Sequence, residues 1–543
     1  MANLQTLEHG TFDSVSRLLV SRISNDLLPH RFLGSRPIRL IPVPVHGSPS
    51  ILALSSRSWL NYTYQNLLHF TPLISEPLDH AWSFSAELCP EGLIGISGSV
   101  LKIFQIPKLG SKLKQDSIPL SFTPRKMAVH PQHRLIYLVE SDHRVLGPEE
   151  IQKRLSEMEK QGKKVPPGVL DLPPEIFGRP KAEAGKWASC VRILDPVNGT
   201  SVFDIALDNN EAAFSIAVVP FVGLNNEYLL AVGTASDTFV APRSCSHGYI
   251  RLYRFAEDGR TIELLHKTEI DDVPLALLAF QGRLLAGVGN ALRIYDIGKK
   301  KLLRKCENKA FPSAIVTLTT QGSRVLVGDM QESVFYVTYK QSSNRLLIFA
   351  DDTSPRWITS HTMVDYETFA AGDKFGNVFI SRLDRSVSSQ VDEDPTGAGI
   401  LAEKGFLMGA AHKTKLLAIY HVGDVVTSIQ KVSMVAGGRE ILLYTGLHGT
   451  IGTLVPLVSK EDVDFITTLE QHLRGENQSL IGRDMLSYRG YYTPVKAVVD
   501  GDLCERFALL PPARQSAIAG ELDRTVGEIL KKLESLRVSS SGF

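Results

Sequence analysis

A four- to five-residue apolar run ending in a small turn residue recurs throughout this chain. It reads LLAVG ending at Gly233, LLAG at Gly287, VLVG at Gly328, FAAG at Gly372 and LLYTG at Gly446. Gly287 and Gly328 are 41 residues apart, and Gly328 and Gly372 are 44 apart. Earlier, ILALSS (51–56), LIGIS (93–97) and LIYLVES (135–141) recur about every 42 residues. A period of 40–45 residues with several strands per unit is the signature of a β-propeller. The eight runs predict a seven-bladed, WD40-like ring whose two ends share a blade.

Each unit reads as a blade should. In GRLLAGVGNALRIYDIGKKKLLRKCE the apolar run is a buried inner strand, a Gly-Asn turn follows, and LRIYDI alternates with period two. Alternation sends one face of each strand into the core between blades. No helical period interrupts 37–140 or 188–459, which excludes a parallel α/β sheet. Two insertions break the repeat. Residues 142–187 are charged and Pro-rich, and PEEIQKRLSEMEKQG sets Ile151, Leu155 and Met158 on one helical stripe. That helix is either solvated or a docking surface. Residues 384–404 are polar with Gly and Pro, and read as a long mobile loop.

After 459 the period changes from two to 3.6. SKEDVDFITTLEQHLRGE opens with Ser459 as N-cap and carries Val463, Ile466, Leu469 and Leu473 as its apolar stripe. The stretch 512–537 is also helical. The predicted organisation is therefore an N-terminal segment 1–30, a propeller over 31–459, and a small α-helical domain over 460–543. In YYTPVKAVVDGDLCERF (491–507), Asp500, Asp502, Cys504 and Glu505 are crowded together. Asp502 and Glu505 are three apart before an apolar run, which is a capping box rather than a metal or catalytic cluster. Cys504 falls in the first helical turn, where thiol acidity can rise. Pro511 and Pro512 end that helix and open the next. Thr525 and Glu528 form a second box.

Signals for chemistry are weak. The five cysteines, Cys89, Cys190, Cys245, Cys306 and Cys504, are scattered, so no CxxC clip exists and a reducing compartment is expected. The start of the sequence lacks the pattern of a signal peptide, and no apolar run reaches 18 residues, so no membrane association is expected. The sequons at Asn61, Asn198 and Asn477 are then expected to stay unmodified. GVGNALR (287–293) lacks the third glycine of a phosphate cradle and sits between strands. His130 and His133 lack a visible third metal ligand, and VDEDPTG (391–397) lacks the oxygen spacing of a calcium loop. GKKKLLRK (298–305) reads as an exposed hairpin in preference to an import signal or phosphate contact. A propeller glycosidase would need convergent carboxylates, which no spacing reveals. The expectation is a non-enzyme without metal or cofactor. Net charge is +1, so any contact with nucleic acid would be local, weak and salt-sensitive. Trp187, Arg192, Arg356 and Trp357 are the candidate partner-binding residues, since Trp and Arg dominate interface energetics; packing between blades is the competing reading for each.

The motifs FLGSRPIRL, SSRSWLNYTYQ, CPEGLIGIS, TPRKMAVHP, IFGRPKAEAGKWASCVRI, FADDTSPRWIT, AGDKFGNVFISRL, YHVGDVVTSIQ and DGDLCERF closely resemble the large β-propeller subunits of splicing factor 3b, from about Arg31 to Arg537. The wider family includes the large adaptor of damaged-DNA-binding ubiquitin ligases and the large subunit of the cleavage and polyadenylation factor. The resemblance implies three propellers and a helical tail in the full protein, of which this chain matches the third propeller and the tail. Residues 1–30 match nothing in the family. It implies a non-enzymatic nuclear scaffold that holds a HEAT-repeat subunit and small partners within the U2 small nuclear ribonucleoprotein, touching pre-mRNA only indirectly or weakly. An adaptor role in a ubiquitin ligase or damaged-DNA-binding complex is the alternative. The family tail usually carries prolines where this chain has Val526 and Gly527.

Overall fold

A computed structural model of the chain describes residues 16–19, 30–34, 36–64, 67–73, 77–87, 89–106, 117–161, 181–402, 409–434, 438–476, 484–490 and 492–541. Short turns force neighbouring strands to pair, so the chain builds successive antiparallel sheets. Sheet 1 holds Arg39–Val45, Ser48–Leu54, Ser58–Tyr64 and Leu67–Pro72; sheet 2 holds His80–Ala86, Cys89–Ser97 and Val100–Gln105. Sheet 3 holds Pro124–Val129, Ile136–His143, Trp187–Asp195 and Thr200–Ala206. Sheet 4 holds Glu211–Phe221, Glu227–Ser236, His247–Phe255 and Ile262–Ile270. Sheet 5 holds Pro274–Phe280, Arg283–Val288, Ala291–Asp296 and Leu303–Asn308. Sheet 6 holds Ile315–Gln321, Arg324–Asp329, Val334–Lys340 and Arg345–Asp351, with His412–Lys413 added in parallel at its edge. Sheet 7 holds Ile358–Met363, Thr368–Asp373, Asn377–Arg382 and Lys415–His421; sheet 8 holds Val426–Ser433, Glu440–Gly446 and Ile451–Leu454. Two small hairpins, Ser16–Leu19 with His30–Gly34 and Phe239–Val240 with Arg243–Ser244, lie outside these sheets.

From sheet 3 to sheet 8, the first strand of each sheet lies beside the first strand of the next. The sheets pack face to face. Phe335 and Val337 of sheet 6 share a core with Leu285 and Ile294 of sheet 5. Tyr336 and Phe349 meet Phe369 and Phe379 of sheet 7 from the other face. Alternation in Val334–Lys340 therefore feeds two cores at once, and every residue of the strand is buried. Sheets 1 and 2 share a separate core of Ile41, Val43, Leu52, Leu60, Leu78 and Leu93. Among the described residues no core cluster joins sheet 2 to sheet 3. The Gly-Asn segment is a two-residue hairpin turn, Val288 pairing with Ala291 while Gly289 takes φ +54°.

The first insertion contains helix α1, Pro148–Lys160, with Ile151, Leu155 and Met158 half-buried. Its remainder, 162–180, lies outside the described residues. The second insertion differs from the expected mobile loop: it folds into α2, Arg385–Glu393, and α3, Ala398–Ala402. Asp384 caps α2 by accepting from Ser386 N. Val391 is buried, and the fully buried Arg324 of sheet 6 donates to Ser388 Oγ at 2.8 Å and Asp392 Oδ1 at 3.0 Å while lying over the Tyr366 ring. The polar composition that suggested a loop supplies the acceptors this buried guanidinium requires.

The helical end comprises α4, Lys460–Glu476; α5, Met485–Gly490; α6, Gly501–Glu505, continued as a 3₁₀ turn at Arg506–Leu509; α7, Pro512–Glu521; and α8, Val526–Ser541. Phe465, Ile466, Leu469, Leu473, Leu503, Phe507, Ile518, Ile529 and Leu533 form its core. Val463, expected on the α4 stripe, is exposed, and Phe465 takes the inward place. The cap of α6 is also two residues from expectation. Asp500, not Asp502, is the N-cap, its Oδ1 accepting from Leu503 N at 3.1 Å. Asp502 lies exposed in the first turn, and Glu505 pairs with Arg537 instead of reaching back. Cys504 is not acidified: burial raises its thiol pKa, and Glu470 and Asp500 raise it further. The Thr525–Glu528 box forms as expected, with Thr525 N donating to Glu528 Oε2 at 2.6 Å and Glu528 N to Thr525 Oγ1 at 3.3 Å. Pro512 opens α7.

Candidate interaction surface

The structure separates the four candidate interface residues. Trp187 is buried in sheet 3, its Nε1 donating to Thr238 O at 2.7 Å and its ring packed on His143 and Phe214. Arg192 is buried too, ion-paired with Glu140 and donating to Ser121 Oγ at 2.7 Å and Ser201 Oγ at 2.9 Å. Arg356 is buried against Asp352 and lies over the Phe379 ring. These three hold sheets and loops together and present no surface to a partner. Trp357 alone is open, 38% exposed.

Trp357 is displayed by two turns at one end of sheet 7. The loop before Ile358 is shaped by Asp352, which accepts from Thr353 N at 2.7 Å and Ser333 Oγ at 2.7 Å. The turn after Thr368–Asp373 is shaped by Asp373, whose Oδ1 accepts from Phe375 N at 2.8 Å and Asn377 N at 2.9 Å, with Gly376 at φ +85°. Lys374 N donates to Trp357 O at 2.9 Å and so joins the two turns. Phe375 then stands 6.0 Å from the Trp357 ring, and Lys374 Nζ lies 4.7 Å from that ring's centroid. Tyr492, from the tail, stands 6.4 Å beyond Phe375. Its hydroxyl donates to Asp373 Oδ2 at 2.9 Å and accepts from Asn377 Nδ2 at 2.7 Å. The result is a row of three exposed aromatic rings on a hydrogen-bonded base, with a cation at one end. Phe375 and Tyr492 were missed in sequence; a Phe in a DKFGN turn signals only a turn, and Tyr492 reaches the row from 115 residues away.

The tail is latched beneath this row. Arg489 donates to His421 O at 3.1 Å, Val422 O at 3.3 Å and Asp500 Oδ2 at 2.9 Å, and lies over the rings of Tyr420 and Tyr488. Burial opposes its charge, yet the adjacent Tyr420 and Asp500 raise its pKa. Asp500 N donates to Glu470 Oε1 at 3.1 Å, tying α4 to the same point. Lys496 forms a two-way backbone bridge with Ile419 at 3.1 Å and donates through Nζ to Leu416 O at 2.6 Å. Among the described residues no group of three or more His, Cys, Asp or Glu is arranged to hold a metal. His130 serves packing: its Nδ1 accepts from Gln132 N and His133 N at 3.2 Å, and burial lowers its pKa to about 4. No helix among the described residues is long and apolar enough to cross a membrane.

Residues 188–509 match the family described as CPSF A subunit region, and residues 27–106 match the RSE1/DDB1/CPSF1 second beta-propeller. Sheets 1 and 2 lie within the second of these matches. Pre-mRNA-splicing factor RSE1 of Mycosarcoma maydis is 60% identical over 94% of this chain and 42% of its own length. Splicing factor 3B subunit 3 of Danio rerio is 46% identical over 96% of the chain and 44% of its own length, and that of Drosophila melanogaster 44% identical over the same shares. The chain spans less than half the length of the curated relatives it matches. On a family match covering more than half of its residues, the chain belongs to the CPSF A subunit region family.

Proposed function

We propose that this chain is a non-enzymatic scaffold of the splicing factor 3b assembly, acting in the nucleus in pre-mRNA splicing. The observation that carries this reading is its 44–60% identity, along more than nine-tenths of its length, to proteins named as splicing factors. In this reading sheets 3–8 are blades of one ring, a blade short of seven among the described residues, and 460–541 is a helical domain latched to it by Arg489 and Lys496. The bound partners are the HEAT-repeat subunit and small subunits of splicing factor 3b within the U2 small nuclear ribonucleoprotein. Pre-mRNA is touched only through them or weakly. The row Trp357–Phe375–Tyr492 is the docking anchor, since rigid aromatic rings lose little entropy on burial and dominate interface energetics.

The test is affinity purification of the tagged chain from nuclear extract. Recovery of the HEAT-repeat subunit with U2 RNA is expected, falling several-fold for the double variant Trp357→Ala, Phe375→Ala. Recovery of cullin-type ubiquitin-ligase components in their place overturns the reading.

A further inference from the structure

The last strands of sheets 5 and 6, Leu303–Asn308 and Arg345–Asp351, lie side by side with a groove of about 480 Å³ between them. Two asparagines fix its walls. Asn344 Nδ2 donates to Lys305 O at 2.9 Å, and Asn308 Nδ2 donates to Leu346 O at 2.7 Å. The floor is apolar. Leu346, Leu347 and Cys306 are buried there, the Cys306 thiol donating to Asn344 O at 3.1 Å. Helix α3 packs on Arg345–Asp351 and adds Leu401 to the lining, 55% exposed. The volume falls in the range of clefts that hold a small ligand or a few side chains.

The rim is basic. Lys305 and Arg345 are exposed on the two walls, and among the described residues neither forms an ion pair. The turn leading into Leu303–Asn308 adds exposed Lys299, Lys300 and Lys301. The lining carboxylate, Glu307, is already used: its Oε1 accepts from Arg293 Nε at 2.6 Å and from Arg304 at 3.3 Å. The groove thus offers unneutralised positive charge around an apolar floor. That combination complements a segment carrying both carboxylates and an apolar side chain. A single nucleic-acid strand fits less well, because such strands are held by aromatic rings on which bases stack, and no aromatic residue lines the groove.

We infer that this groove docks a short acidic segment of a partner protein, an aliphatic or aromatic anchor entering between Leu347 and Leu401 while flanking carboxylates meet Lys305 and Arg345. The inference goes beyond the scaffold reading and does not depend on which assembly the chain joins. The test is fluorescence anisotropy on the full chain with a labelled peptide, Glu-Asp-Glu-Leu-Phe-Glu-Asp-Glu. Saturable binding that weakens as salt rises is expected. The same peptide with Ala-Ala in place of Leu-Phe should bind at least about ten-fold more weakly. The double variant Lys305→Glu, Arg345→Glu and the single variant Leu401→Asp should each lose at least about ten-fold in affinity while keeping the parent's melting curve, since all three side chains are exposed. Lys160→Glu, at an exposed cation on helix α1, should leave binding unchanged. Equal binding of the Ala-Ala peptide, undiminished binding by the groove variants, or no binding at about 1 mM peptide overturns the proposal. So does tighter binding of a labelled oligouridine RNA that the groove variants abolish.

Discussion

Strands Val334–Lys340 and Val100–Gln105 are built from the same materials, VFYVTYK and VLKIFQ, yet every residue of the first is buried while most of the second is exposed. The first lies between two neighbouring sheets, each with its own apolar cluster. Among the described residues the second shares a core with a neighbour on one side only. Strand character is thus set by local pattern, but the energy a strand contributes is set by how many faces its neighbours cover.

The largest expected effect sharpens this contrast. Phe335→Ala should cost about 3–5 kcal/mol, because a large buried ring leaves a cavity shared by sheets 5 and 6. Ile103→Ala should cost within about 0.5 kcal/mol, since the side chain is already in water. Urea melts of the two variants decide the matter, and equal losses would break the comparison. Next, the tail has its own inside and outside. Asp500→Ala removes the α6 cap and the partner of half-buried Arg489, and should cost about 2–3 kcal/mol. Asp502→Ala, a few ångströms along the chain and exposed, should cost about 0.5 kcal/mol or less.

Acid probes the buried interior selectively. Burial lowers the pKa of His361 to about 4, assisted by the charge of Lys126 across the sheets, against a hydrogen bond to Thr317 O that raises it. The unfolded chain protonates this imidazole near its ordinary value of 6.5. The unfolded state therefore binds more protons between those values, and stability falls as pH drops from about 6.5 to about 4. His130, lowered to about 4 by burial and by His133, adds to the same window. His361 alone should remove on the order of 2 kcal/mol by pH 4.5. Melts of the parent and of His361→Asn between pH 7 and 4.5 should show a shallower slope for the variant. At the last helix, Thr525→Ala should cost about 1 kcal/mol through the lost box.

Much of this fold was readable because its signals are local. The repeat gave the inner strands, period two gave the sheets, the Gly289–Asn290 turn gave a hairpin, and Thr525 with Glu528 gave a cap. What escaped depends on distant partners. The segment at 384–404 looked unstructured because Arg324, which organises α2, lies some 64 residues earlier. Asp500 and Asp502 are equivalent on paper; Arg489 and Glu470 select the first. Trp187, Arg192, Arg356 and Trp357 share residue types that serve interfaces and cores alike, and only the surrounding turns distinguish the exposed one.

The backbone bridge between Lys496 and Ile419 has a meaning beyond holding the tail. The outermost strand of any sheet presents a row of unpaired N–H and C=O groups, to which stray chains can add. In sheet 7 that outermost strand is Lys415–His421, and the tail lies along it through Lys496. In sheet 6 the returning chain at His412–Lys413 does the same for Arg345–Asp351, with Lys413 Nζ on Asp351 Oδ1 at 2.5 Å. Each of these two rims is thus partly occupied by the chain itself, at one residue pair in sheet 7 and two in sheet 6, so the tail blunts an edge open to self-association as well as holding shape.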